Sequence, residues 1–359
     1  MIEILSVVKV ILPAALTFLV GISLTPYIAD FLYKNEMWKK KPGKLDTAGN
    51  ATPVYDKLYE KRDVGTPRMG GIVIWLSAFV VISLLWALAR FSPFEIFDKL
   101  EFLSRSQTWI PLAALMVGAF VGLLDDWLEI KGSRDNVSGG LSSTKRLIVV
   151  GLIGLLVSIW FFFKLGVTSI GIPFLGQLEI GFLLIPLFTF VILVIYSGGV
   201  IDGLDGLSGG VLASMFSAYG IIAFAYDQIN LAAFCAAIVG ALLAFLWFNI
   251  PPARFYMSET GSMALTIVLA IVAFMTDELV GGVGLFVLPI IAFPLIATAG
   301  SSFLQIMHKK LRNGKKIWLA APLHHHFEAI GWPATKVVMR YWVISVIFAS
   351  VGIIIALIG

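Results

Sequence analysis

The sequence predicts an all-α membrane protein that crosses the bilayer about ten times, and three observations carry that prediction. Of its 359 residues, 59% are hydrophobic and 13% are Asp, Glu, Lys or Arg, whereas soluble domains carry roughly a quarter charged residues. Apolar stretches recur along the whole chain, most of them close to the ~20 residues a helix needs to cross the hydrocarbon core. Lys and Arg collect in alternate connections between those stretches, the asymmetry that sets membrane orientation.

The stretches run near residues 5–31, 72–91, 109–128, 146–165, 181–200, 211–227, 231–250, 261–276, 283–307 and 341–358. The sixth and eighth are short, which tilting or re-entry would accommodate. The first is too long for a secretory signal and has no basic leader, so it is expected to remain as a span. The connections 32–71, 125–146, 199–210, 251–262 and 308–340 hold 21 of the 26 Lys and Arg residues. Lys9, Arg90, Lys99, Arg105 and Lys164 are the other five. The first set is therefore expected on the cytoplasmic side, with both termini outside. Between the fourth and fifth spans, residues 167–180 alternate and carry Gly and Pro, which allows a small external β-hairpin.

Residues 1–359 are expected to form one transmembrane domain, whose five cytoplasmic connections make its reactive face. Residues 34–63 are the most soluble-looking stretch. The net charge of +4 follows from the loop bias and implies no nucleic-acid partner. Cys235, the single cysteine, lies inside the seventh span and suggests packing rather than redox chemistry.

Ionisable groups near membrane depth are costly and point to function. Asp125 and Asp126 close the run Val-Gly-Leu-Leu-Asp-Asp at the end of the third span. Neighbours on a helix diverge by about 100°, so one is expected to act as base or metal ligand while the other holds its surroundings. Asp202 and Asp205 lie in Asp-Gly-Leu-Asp-Gly after the fifth span, on one face if that segment is helical. A glycine-rich turn between spans would read similarly. Glu259 sits in Met-Ser-Glu-Thr-Gly-Ser before the eighth span. Hard oxygen donors of this kind suit Mg²⁺ together with substrate phosphates; the lack of cysteine on this face argues against zinc.

All four histidines fall in the last cytoplasmic connection, three of them in Pro322-Leu-His-His-His-Phe-Glu328. An extended segment would put His324 and His326 on one face and leave His325 for another partner. Phosphate contacts or acid–base work suit imidazoles in such a place. Gly65-Thr-Pro-Arg-Met-Gly-Gly71 precedes the second span and reads as a tight loop with free backbone donors, and Lys145 and Arg146 open the fourth span from the same side. Carboxylates, glycine loops, cations and histidines on one edge are what a metal–diphosphate site requires.

These strings, in this order, resemble the phospho-N-acetylmuramoyl-pentapeptide transferase family within the polyprenyl-phosphate N-acetylhexosamine-1-phosphate transferases. The triple-histidine string is the most specific part, and the likeness covers most of the chain. The resemblance implies a bacterial cytoplasmic-membrane enzyme that uses Mg²⁺. It implies transfer of phospho-MurNAc-pentapeptide from its UDP conjugate to undecaprenyl phosphate, giving lipid I and UMP. A homodimer is compatible with it.

By the same resemblance, Asp125, Asp126, Glu259 and His324 are the catalytic candidates, and Glu259, Asp125 and Asp202 the metal ligands. Asp202, Gly203, Leu204 and Asp205 match the uridine- and phosphate-side loop. Asn249 and Tyr256 match positions that hold the uracil, the second normally Phe. His325 and His326 stand near the substrate phosphates. Either Lys145 or Arg146 supplies the basic residue.

The chain departs from the family pattern in three places. Glu259 replaces an Asp, Gly199-Val-Ile stands where an Asn precedes Asp-Gly-Leu-Asp-Gly, and Arg68 stands where Thr is usual. On sequence grounds, Glu259→Asp is expected to preserve or improve activity. A transferase using UDP-GlcNAc or a related donor is the alternative within the class. An ion-coupled transporter is the remote alternative, disfavoured because the carboxylates sit at one membrane edge and no inverted repeat is seen.

Overall fold

A computed structural model of the protein describes residues 4–39, 64–104, 107–132, 140–312 and 314–359; most of the basic 34–63 stretch lies outside them. Among the described residues, nine helices are long and apolar enough to cross a membrane, and a bent pair makes a tenth span. In chain order the helices are α1 (Ile4–Lys34), α2 (Ile72–Phe91), the short α3 (Ile96–Leu100), α4 (Trp109–Lys131) and α5 (Ser143–Leu165). Then come α6 (Leu184–Ser197), α7 (Leu207–Ala225), α8 (Ile229–Asn249) and α9 (Ser258–Met275). The last are α10 (Gly284–Ile291), α11 (Phe293–Leu311), the short α12 (Leu323–Ala329) and α13 (Ala334–Ile358).

The ninth predicted span is the broken one. α10 and α11 meet at 65° across Ala292. Pro294 lies in the first turn of α11; lacking an N–H and crowding the carbonyl four residues back, proline cannot continue the preceding helix straight.

Helix α9 is the centre of the bundle. Its spanning window is 94% buried, against 17% for α1 and 22% for α5, as expected of a helix that is apolar on every side. Lipid gives no hydrophobic reason for helices to pair, so close backbone packing takes over, and small residues permit it. Helix α4 lies directly on α9: a Cβ at Gly118 would stand 2.9 Å from Ala264 Cα, and one at Gly122 only 2.2 Å from the Glu259 carbonyl oxygen. Helix α1 meets α8 in the same way, through Gly21 against Ala244 and Gly240 against Ala14.

The predicted hairpin is present as β1 (Ser169–Ile172) and β2 (Gly176–Glu179), antiparallel, with Ser169 opposite Glu179 and Ile172 opposite Gly176. Buried Asp277 ties it to the bundle: its oxygens accept the Gly171 N–H at 2.6 Å and the Leu285 N–H at 2.8 Å. The hairpin follows the far end of α5, which leaves the opposite end of the bundle for the polar motifs.

Candidate active site

The aspartates in the last two turns of α4 diverge as helix geometry demands, and both are fully buried. Asp126 braces α9. It accepts the Thr260 N–H at 2.8 Å, the Thr260 hydroxyl at 2.6 Å and the Glu259 N–H at 3.3 Å. These are donors that the first turn of a helix leaves unsatisfied, so a carboxylate from a neighbouring helix caps α9 and fixes Glu259 in place. Asp125 turns the other way. Its Oδ1 accepts the Leu141 N–H at 2.6 Å, and its Oδ2 lies 2.9 Å from Arg146 Nε.

Arg146 joins two helices' acids. Besides Asp125, it donates from Nη1 to Glu259 Oε1 at 2.7 Å. The Tyr196 hydroxyl, from the end of α6, donates to Glu259 Oε2 at 3.3 Å. Four helices thus deliver one group each to this point: α4 Asp125, α5 Arg146, α6 Tyr196 and α9 Glu259. Of the two basic candidates, Arg146 is the one brought in, while Lys145 is exposed.

One turn beyond Asp125, Glu129 is nearly buried between Arg68 at 2.5 Å and Lys39 at 2.9 Å. This pins the segment before α2 onto α4. The expectation of free backbone donors in residues 65–71 fails at three positions: Arg68 gives its N–H to the Met37 carbonyl, and Gly70 and Gly71 give theirs to the Tyr256 and Met257 carbonyls, while the Tyr256 N–H goes to Pro67. The glycines serve close approach instead, since a Cβ at Gly71 would lie 2.3 Å from the Gly261 nitrogen.

Asp-Gly-Leu-Asp-Gly is a turn between a 3₁₀ segment (Gly198–Ile201) and α7, not a helix, so its two carboxylates do not share a face. Asp202 accepts the Ser208 hydroxyl at 2.7 Å and the Ser258 N–H at 2.8 Å, whereas Asp205 accepts the Ala253 N–H at 3.2 Å. Asn249 is committed to backbone: it accepts the Gly206 N–H at 2.9 Å and donates to the Phe255 carbonyl at 2.8 Å. Leu204 is buried. A cavity of about 350 Å³ opens beside this turn, lined by Thr66, Asp205, Pro251, Pro252, Ala253 and Tyr256.

The histidines lie on helix α12 rather than on an extended segment, so successive rings rotate instead of alternating. His324 and His325 are buried, with ring centroids 4.2 Å apart, and His325 Nδ1 is 3.0 Å from Glu328 Oε2. His326 is half-buried beside Phe327. A Cβ at Gly203 would stand 2.3 Å from His324 Nε2 and 3.1 Å from His325 Nε2. The glycine turn and the histidine string are therefore in contact, although 121 positions separate Gly203 from His324 in the chain.

No three His, Cys, Asp or Glu side chains among the described residues stand close enough together to hold a metal by themselves. The expected trio of Asp125, Asp202 and Glu259 is not assembled as one cluster; Asp125 and Glu259 meet across Arg146, and Asp202 braces the turn and α9. Two carboxylates still suit Mg²⁺, which commonly takes one or two together with substrate phosphates and water.

Sequence reasoning missed Tyr196, Glu129 and Lys39. Glu129 had a signal, because its spacing of four from Asp125 puts both on one helix face. Tyr196 had a weaker one, a lone phenol closing the apolar run of α6.

A profile of glycosyl transferase family 4 matches residues 108–277. The phospho-N-acetylmuramoyl-pentapeptide-transferase of Chloroflexus aurantiacus (strain J-10-fl) is 34% identical over 308 residues, covering 82% of this chain and 78% of that protein. The protein of the same name from Listeria monocytogenes is 32% identical over 300 residues, covering 83% and 86%. That from Clostridium perfringens is 32% identical over 346 residues, covering 96% and 98%.

Proposed function

The chain belongs to the phospho-N-acetylmuramoyl-pentapeptide-transferase family, and we propose that it catalyses that transfer at the edge where α4, α5, α6 and α9 meet. It is an integral membrane transferase that moves phospho-MurNAc-pentapeptide to a polyprenyl phosphate, the first membrane step of peptidoglycan synthesis. The finer reading is ours: the donor is the UDP conjugate, the acceptor undecaprenyl phosphate, and the products lipid I and UMP. The charge bias of the connections supports a cytoplasmic setting for this edge, the side on which UDP-linked precursors are found.

The observation that carries the reading is the meeting of Asp125, Arg146 and Glu259 beside the turn that holds Gly203 against His324. The acceptor's phosphate oxygen attacks the phosphorus that bears MurNAc. A new P–O bond forms there, and the P–O bond to UMP breaks. Asp125 lies within the last two turns of a membrane-crossing helix, and in this reading it accepts a proton from an acceptor phosphate arriving sideways from lipid. Arg146 supplies a fork of donors for phosphate oxygens. The cavity beside Asp205 and Tyr256 is of a size for a nucleoside, and His324 and His325, which abut Gly203 of the same turn, are in this reading the groups that meet the substrate phosphates. Asp125 and Glu259 are the residues that would hold Mg²⁺, which would add counter-charge to the donor's phosphate oxygens as UMP leaves.

Purified protein given labelled UDP-MurNAc-pentapeptide, undecaprenyl phosphate and Mg²⁺ should yield labelled lipid and UMP. Absence of both products would end this reading. Labelled lipid from UDP-GlcNAc alone would replace it with a sugar-1-phosphate transferase of different donor.

A further inference from the structure

Asp125 Oδ2 is an anomaly. Buried polar atoms in folded proteins nearly always have hydrogen-bond partners, yet this oxygen of a carboxylate that is 0% exposed receives no well-aligned hydrogen bond from the described residues. What faces it is Arg146 Nε, an ion-pair partner 2.9 Å away whose N–H is off the line to the oxygen. The two meet as charges without the alignment of a donor and an acceptor. The other end of the same guanidinium is well seated, with Nη1 on Glu259 Oε1 at 2.7 Å. One cation therefore bridges two acids, and its contact with Glu259 is better aligned than its contact with Asp125.

The groups around the bridge limit what could replace it. Glu129 is already matched by Lys39 and Arg68, and Asp126 by the amides and hydroxyl at the start of α9. Tyr196 brings Glu259 a hydroxyl but no positive charge. Among these described neighbours, Arg146 is the cation set between Asp125 and Glu259. Its side chain is 22% exposed while that of Asp125 is fully covered, so the arginine has a way out that the aspartate lacks. Arg146 is in the first turn of α5, which Ser142 caps. A rotation about its side-chain bonds moves the guanidinium without moving the helix.

We propose that Arg146 is a displaceable counter-cation, which holds Asp125 and Glu259 closed to divalent metal until the donor's diphosphate draws it away. This rests on the reading of the donor as a nucleoside diphosphate conjugate. A guanidinium suits a diphosphate at least as well as a carboxylate, through two parallel N–H···O bonds. Its transfer would leave two carboxylates facing the place it vacated, with phosphate oxygens alongside. Metal and donor would then bind in concert, and the empty enzyme would hold metal weakly. The coupling is reciprocal by linkage.

The test needs no turnover. Mn²⁺ binding to the full-length protein in detergent, without donor or acceptor, is followed by electron paramagnetic resonance. Wild type should bind weakly, and Arg146→Gln should bind at least about tenfold more tightly, because one positive charge beside the ion has gone. Adding Glu259→Gln to Arg146→Gln should abolish the gain. Arg146→Lys, whose single ammonium cannot bridge both acids, should fall between, and it serves if Arg146→Gln does not fold. The same variants are titrated calorimetrically with UDP-MurNAc-pentapeptide in EDTA, where Arg146→Gln should lose about tenfold or more in affinity. No gain in Mn²⁺ affinity for either variant overturns the proposal. So does a gain with unchanged donor affinity, since Arg146 would then plug the site without passing to the donor. If either happens while wild type still makes labelled lipid, the transferase reading stands and only the displacement of Arg146 is lost.

Discussion

Gly122→Ala tests whether the packing of α4 on α9 sets the chemistry. A Cβ at Gly122 would lie 2.2 Å from the Glu259 carbonyl oxygen, 2.6 Å from its carbon and 2.9 Å from Thr260 Cα. All three are backbone atoms, which cannot swing aside. Ordinary contact starts at 3.4 Å, so the helices must part locally by about 1.2 Å. The hydrogen bond from the Thr260 N–H to Asp126, now 2.8 Å, cannot survive that separation. The Asp125–Arg146–Glu259 bridge would widen with it. Overpacking of this kind costs about 1–3 kcal/mol in stability, and misplacing reactive groups by about 1 Å costs on the order of 10²-fold in rate. Labelled lipid formation gives the rate, and fluorescence-detected size exclusion after heating gives the stability. Two companions separate the effects. Gly118→Ala, one turn farther from the site and 2.9 Å from Ala264 Cα, should lose stability but much less activity. Gly300→Ala, on α11 with nothing within 4 Å, should be neutral or slightly stabilising. Wild-type turnover in Gly122→Ala with an unchanged melting temperature would refute the argument.

Glu259→Asp should reduce turnover on the order of 10²-fold, the reverse of the expectation from sequence, because Arg146 and Tyr196 both sit at the reach of the longer side chain. Improved activity in the same assay would show that neither contact matters. Asp126→Asn replaces an acceptor of three donors with an amide that must turn an NH₂ toward some of them. It should cost about 1–3 kcal/mol, read as a lower melting temperature in detergent, and an unchanged transition would remove Asp126 from the role of α9 cap.

Hydropathy and charge bias marked all ten spans and the gathering of reactive strings in alternate connections, while alternation with Gly and Pro only allowed the hairpin at 167–180. The bent ninth span was the exception, since its length and apolarity are those of a continuous helix. The strings themselves were legible as motifs, and the family resemblance rested on them. Their internal geometry was not. Asp-Gly-Leu-Asp-Gly proved to be a turn whose carboxylates diverge, the histidines sit on a helix, and Asn249 holds backbone with both ends of its amide.

Spans are determined by sequence alone because membrane insertion sums over local residues, and twenty apolar side chains in a row outweigh anything distant. Which of Lys145 and Arg146 faces Asp125, that Tyr196 reaches Glu259, and that Gly203 admits His324 depend on how each helix is rotated and how closely it packs. Among apolar helices in lipid, those quantities follow from backbone contacts at small residues such as Gly122 and Gly118. No local pattern records which partner such a residue will meet. The tertiary structure decided it, and so made Arg146 the bridge between two acids 113 residues or fewer away in the chain.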